Sequence, residues 1–145
     1  MKKYKIGYTT GVYDLFHIGH LNILKKAKEQ CEFLIVGVTT DKEVLRVKNK
    51  KPIIPFEERL DIVQAIEYVD RAVPEHDVDK LLAWEEYGFD VIFKGDDWKG
   101  SPKWLEYEEK FAKRNVEVVY FPYTKGTSST ALRKVLDQII QNKIT

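Results

Sequence analysis

The sequence predicts a single α/β domain: a doubly wound, parallel five-stranded sheet with helices on both faces, a Rossmann-like arrangement. Three observations lead there. Short runs rich in β-branched and aromatic residues alternate with amphipathic helical patterns all along the chain. Two of these runs, around Phe33 and Val91, are nearly continuous in apolar residues, as parallel strands covered on both faces must be. The 145 residues are the size of one domain, with no internal repeat, low-complexity tract or linker to divide them.

Taken in order, Tyr4 to Thr9 reads as the first strand and Gly19 to Gln30 as the first helix, with Leu21, Leu24, Ala27 and Lys28 at three-four spacing. Phe33 to Thr39 is the second strand, and a charged loop follows it. The next helix spans Phe56 to Glu67, where Leu60, Val63 and Glu67 share a row beside Ile62 and Ile66. Tyr68 to Val73 is the third strand, Val78 to Tyr87 a helix, Asp90 to Lys94 the fourth strand, and Pro102 to Arg114 a helix. Val116 to Phe121 is the fifth strand, and a last helix runs from Ser128 towards Gln141. Open parallel sheets bind ligands at the carboxyl ends of their strands, where the strand order reverses. Chemistry is therefore expected just after Thr9, Thr39, Lys94 and Phe121.

Composition narrows the function classes. The formal charge is +1 with His neutral, so no electrostatic case exists for a nucleic-acid partner, which would need many phosphate contacts. Cys31 is the only cysteine, so no intramolecular disulfide can form, and a reducing compartment fits best. The basic start is not followed by an unbroken apolar stretch, because Asp14 and His17 interrupt it. No run approaches the roughly 20 apolar residues that span a bilayer. A cytoplasmic protein without a membrane partner is expected.

The strongest motif runs from Thr9 to His20, Thr-Thr-Gly-Val-Tyr-Asp-Leu-Phe-His-Ile-Gly-His, after the first strand and into the first helix. His17 and His20 are three apart and share one face of a helical turn. Gly19 between them lets a triphosphate approach the backbone, and Gly11 precedes them. Two imidazoles beside the open N–H groups of a helix start suit negative charge building on a phosphate. The plainer alternative is a pair of capping histidines. A second motif, Lys125-Gly126-Thr127-Ser128-Ser129-Thr130, opens the last helix with more hydroxyls than an N-cap needs and resembles a phosphate-cradling turn. The basic stretch Arg46, Lys48, Lys50 and Lys51 follows the second strand on the same edge as the histidines. Gly95-Asp96-Asp97-Trp98 follows the fourth strand, where paired acids suit ribose hydroxyls or a magnesium ion and Trp98 an apolar wall. No Walker loop or dinucleotide fingerprint is present.

With these motifs in order, the chain resembles the cytidylyltransferase family within the His-x-Gly-His nucleotidyltransferases. Thr39-Thr40-Asp41, Glu58-Arg59 and Tyr68-Val69-Asp70 add to the match. The resemblance implies transfer of CMP from CTP to a phosphorylated alcohol, glycerol 3-phosphate first among them, with release of pyrophosphate and Mg²⁺ as cofactor. It implies that His17 and His20 contact the triphosphate and that Lys48 and Lys50 act near the acceptor and leaving phosphates. Thr9, Thr10, Gly11, Asp14 and Gly19 would surround the phosphates, with Asp14 also a magnesium ligand. Arg59 would be a further phosphate contact, Asp97 and Trp98 would lie around the nucleoside, and Lys125, Thr127, Ser128, Ser129 and Thr130 would bind the triphosphate. A homodimer with Tyr68-Val69-Asp70 near the subunit contact is also implied. Two departures bear on the acceptor: Tyr123 and Glu67 stand where the family carries arginines, with Lys125 in place of a glutamate. Rival readings are an adenylyltransferase, another acceptor such as phosphocholine, phosphoethanolamine or a sugar phosphate, and a non-catalytic nucleotide-binding protein.

Overall fold

Five parallel strands form one sheet: β1 (Tyr4–Gly11), β2 (Cys31–Thr39), β3 (Arg71–Glu75), β4 (Val91–Gly95) and β5 (Glu117–Phe121), in the spatial order β3-β2-β1-β4-β5. The computed structural model describes residues 2–122 and 128–144. Six α-helices lie among the described residues: α1 (Ile18–Gln30), α2 (Asp41–Lys48), α3 (Phe56–Gln64), α4 (Lys80–Tyr87), α5 (Pro102–Ala112) and α6 (Ser129–Ile144). The chain winds from β1 out to β3, then returns to add β4 and β5 on the other side of β1. The order therefore reverses between β1 and β4, and a crevice is expected at their carboxyl ends.

Side-chain alternation splits the sheet into two apolar layers. On one face Val36, Val38, Val91 and Phe93 pack with Leu24 and Ala27 of α1 and Val63 of α3. On the other face Tyr8, Ile35, Val73 and Ile92 pack with Ala83 of α4 and Trp104, Tyr107 and Phe111 of α5. Val91 and Ile92 are adjacent and serve opposite layers, so the fourth strand is covered on both sides, as its apolar run predicts.

Two differences from the sequence reading stand out. The segment after β2 is a helix, α2, where a charged loop was expected. Thr40 caps it, Oγ1 accepting from the Glu43 N–H at 3.3 Å, and Asn49 closes it in the left-handed conformation at φ 55. It is only eight residues long and buries only Glu43 and Val44, although Thr40 followed by Glu43 is a legible start signal and Val44 and Val47 fall on one face. The third strand begins at Arg71 rather than Tyr68. Tyr68 and Val69 continue the turn that ends α3, where the Val69 N–H donates to the Ile66 carbonyl at 3.0 Å.

Candidate active site

The two histidines form the N-terminal cap of α1. His17 is the N-cap residue in extended conformation, and its Nδ1 accepts from the Gly19 N–H at 3.0 Å. His20, three residues on, accepts the His17 N–H on its own Nδ1 at 3.2 Å. This is a capping box built from imidazoles in place of hydroxyl and carboxylate. The rings stack with centroids 3.9 Å apart, and the His20 ring is flanked by Tyr13 and Phe16. Because each Nδ1 accepts a backbone proton, each neutral ring carries its hydrogen on Nε2. Burial, then the neighbouring His17, push His20 down to about 4, and burial lowers His17 as well. At neutral pH the pair is two uncharged Nε2–H donors. Capping and phosphate binding, posed as alternatives by the sequence, are compatible uses of one arrangement.

The loop before His17 is held by Asp14. Tyr13 and Leu15 sit at φ 54 and 51, a left-handed conformation that costs a non-glycine residue about 1 kcal/mol or more. Asp14 fastens the strained loop: its two carboxylate oxygens accept the N–H groups of Ile53 and Ile54 at 2.8 and 2.9 Å. Its backbone carbonyl accepts the Ser129 hydroxyl, while the Ser128 hydroxyl accepts the Ala131 N–H at 3.0 Å and caps α6. The loop of residues 12–17, the 49–55 segment and the start of α6 are thereby joined at one residue.

Arg59 requires a correction. It was expected to contact phosphate, but it is 1% exposed and does not line the cavity described below. Its Nε donates to the Ile54 carbonyl at 2.9 Å and its Nη1 to the carbonyls of Val12 and Thr39 at 2.6 and 2.8 Å. Its Nη2 reaches Asp41 Oδ1 at 2.6 Å. The rigid fork of donors suits this task of tying three backbone segments beneath the site.

A cavity of about 400 Å³ opens over the carboxyl ends of β1 and β4. It gathers Thr9, Thr10, Gly11, Asp14, His17, Gly19 and His20 from the first strand–helix junction, and Lys48 and Lys50 from the end of α2 and beyond. Gly95, Asp97 and Trp98 enter after β4, and Ser128, Ser129 and Thr130 from the start of α6. His20 and Ser129, 109 residues apart in the sequence, face one space. A side chain at Gly11 would press on the Tyr13 ring at 3.0 Å, so glycine keeps that wall open. The Thr9 hydroxyl donates to the Phe93 carbonyl at 3.1 Å and pins β1 to β4. Desolvation, then the Lys50 charge, lower the Lys48 pKa. Arg46, in the same basic stretch, pairs instead with Glu43 at 2.6 and 2.7 Å. Lys125 and Thr127, also expected at the site, lie outside the described residues, as does Tyr123.

Sequence reasoning missed two cavity cations. Lys94 is the penultimate residue of β4, its Nζ 5.1 Å from the Trp98 ring centre and 5.7 Å from that of Trp104. Burial, then the charge of Lys80, push it down to about 8. Its place at the end of an apolar strand was the available signal. Arg133, one turn into α6, also lines the cavity and donates to the Lys51 carbonyl at 2.9 Å.

With the geometry in place, comparison with known proteins is decisive: residues 8–135 match the family described as cytidylyltransferase-like. The chain belongs to that family. Among its relatives, glycerol-3-phosphate cytidylyltransferase of Bacillus spizizenii is 37% identical over 127 residues, covering 87% of this chain and 92% of the relative. FAD synthase of Archaeoglobus fulgidus is 33% identical over 132 residues, covering 91% and 95%. The lipopolysaccharide core biosynthesis protein from Thermoplasma volcanium superposes with a TM-score of 0.69 at 28% identity, covering 86% of this chain and 99% of that one. This family member is a nucleotidyltransferase. No helix among the described residues is long and apolar enough to cross a membrane.

Proposed function

We propose that the protein transfers CMP from CTP to a phosphorylated small alcohol, with glycerol 3-phosphate the first candidate, and releases pyrophosphate. The observation that supports this most is the convergence of His17, His20, Ser129 and Thr130 with three lysines, Lys48, Lys50 and Lys94, on one cavity at the strand-order switch. Relatives named for glycerol-3-phosphate transfer reach 37% identity, and those named FAD synthase reach 34%. The base and the acceptor are therefore the variables that an assay must separate.

In this mechanism an acceptor phosphate oxygen attacks the α-phosphorus of CTP in line, the bond to the β-phosphate bridging oxygen breaks, and pyrophosphate departs. No covalent enzyme intermediate is required. The protein positions two polyanions and offsets their charge. The Nε2–H groups of His17 and His20 donate to phosphate oxygens, joined by the α1 and α6 N-termini. Lys48 and Lys50 supply positive charge from the other wall. Asp14 accepts one N–H on each carboxylate oxygen, from Ile53 and Ile54 at 2.8 and 2.9 Å, which leaves a second acceptor site on each, and no group of three His, Cys, Asp or Glu gathers among the described residues. Asp14 would hold a magnesium ion only together with a bound nucleotide, not as a cage of protein ligands. Mg²⁺ belongs instead with the incoming nucleotide, held mainly by its phosphates and water, as is usual for this ion.

The test is pyrophosphate release by the full chain with each of the four nucleoside triphosphates against glycerol 3-phosphate, sugar phosphates, phosphocholine, phosphoethanolamine and flavin mononucleotide. Turnover with CTP and glycerol 3-phosphate is expected. Turnover with ATP and flavin mononucleotide alone would overturn the assignment, and nucleotide binding without any turnover would favour a sensor. The same reading carries a homodimer, which light scattering checks.

A further inference from the structure

Lys94 stands apart from the phosphate-binding groups already described. It follows Phe93, which packs in the α1–α3 layer, so alternation sends its side chain to the α4–α5 face, where its Nζ meets the Trp104 ring of α5. The histidines open α1 on the opposite face. The cavity thus straddles the sheet edge, with imidazoles over one side and this ammonium over the other.

Lys94 is half-buried, and among the described residues no carboxylate comes within ion-pair distance of it. Glu75, a buried acid whose charge acts on Lys94, is taken: Oε1 accepts from the Thr39 hydroxyl and Oε2 from Lys80 Nζ, both at 2.8 Å. The charges acting on Lys94 are those of Lys80, Lys48, Asp97 and Glu75. With Lys94 itself, three cations face two acids, and an ammonium partly out of water with no anion of its own favours one. The transfer reaction brings two anionic substrates together, and the imidazole side accounts for one.

Resting on the transferase reading, we propose that Lys94 seats the phosphate of the acceptor, and that the acceptor carries no cationic head group. The aromatic faces of Trp98 and Trp104 are the kind of surface that holds a quaternary ammonium. Here the Lys94 ammonium already occupies them, so phosphocholine and phosphoethanolamine are repelled while a polyol phosphate is attracted.

The test combines calorimetry and turnover on the full chain, using Lys94→Met and Lys94→Arg. Glycerol 3-phosphate and ribitol 5-phosphate are titrated in the presence of a non-hydrolysable CTP analogue, and pyrophosphate release is measured separately. Lys94→Met should weaken polyol-phosphate binding and raise its KM by about tenfold or more, the scale of one charge-assisted contact. Affinity for the CTP analogue should stay within about twofold of wild type. Lys94→Arg, which keeps the charge, should recover part of the loss and exclude a folding defect. Unchanged acceptor affinity in Lys94→Met, no polyol-phosphate binding by wild type, equal weakening of the CTP analogue, or a wild-type preference for phosphocholine would each overturn the proposal. Lys94-dependent binding without pyrophosphate release from any nucleotide would leave the seat standing and remove the transferase reading instead.

Discussion

The Ser129 hydroxyl donates to the backbone carbonyl of Asp14, 115 residues earlier in the chain. Through this bond the first turn of α6 rests on the loop that carries His17 and His20. Residues of both helix starts therefore line one cavity, and the partial positive ends of two helices add there.

The imidazoles cap α1 through Nδ1, so chemistry and capping can be separated by substitution. In His20→Asn, Oδ1 replaces Nδ1 as acceptor for the His17 N–H, and the shorter amide leaves no donor at the Nε2 position. Turnover should fall about 100- to 1,000-fold. Unfolding free energy should stay within about 1 kcal/mol of wild type, as between good cap acceptors. Pyrophosphate-release kinetics beside urea denaturation checks both halves.

The lowered His20 pKa has a signed consequence for stability. With about 4 in the folded state against an unfolded value near 6.5, the unfolded chain binds the extra proton between those pH values. Stability from this group is fully present above about pH 6.5 and is lost as pH falls towards 4, by up to about 3 kcal/mol. His17 shifts in the same direction and adds to the slope. Melting temperature should drop over this window in wild type, and the drop should be smaller in His20→Asn.

Arg59 is expected to act on stability. Arg59→Leu abandons the carbonyls of Val12, Thr39 and Ile54 and the Asp41 carboxylate, a loss of about 3 kcal/mol or more in urea denaturation. Arg59→Lys should also destabilise, since a point charge cannot replace the fork. A normal unfolding midpoint with only a raised CTP KM would restore the phosphate-contact reading.

Asn49 closes α2 between Lys48 and Lys50, at φ 55. Asn49→Gly should be neutral or slightly stabilising, while Asn49→Val should cost about 1–2 kcal/mol because a β-branched residue resists that conformation. Loss of turnover in the valine variant would follow from misplacing the two lysines, and is read in the same assay.

Much of this was legible in the chain because β-branched runs and helical periodicity report burial. The five strands, their order of appearance and the four strand-end motifs all emerge from local pattern. What escaped was decided by tertiary contacts. Nothing local distinguishes an arginine that meets phosphate from one like Arg59 that ties carbonyls together. Asp14 lines the cavity as its place in the motif suggests, but its second task, accepting the Ile53 and Ile54 N–H groups from 39 and 40 residues away, had no local signal. Helix α2 was missed because eight residues with five charges, mostly exposed, read as a solvated charge run before their period is noticed. Lys94 escaped because a lysine ending an apolar strand is ordinarily just a strand end, and only the fold puts two tryptophans beside it.

The most direct test of the shared cavity is a crystal structure of the protein with CTP bound. The β- and γ-phosphate oxygens should lie within about 3 Å of Nε2 of His17 and His20 and of the groups at Ser129 and Thr130 that begin α6. A triphosphate bound away from the imidazoles, or one that touches them while α6 stays remote, would contradict the account.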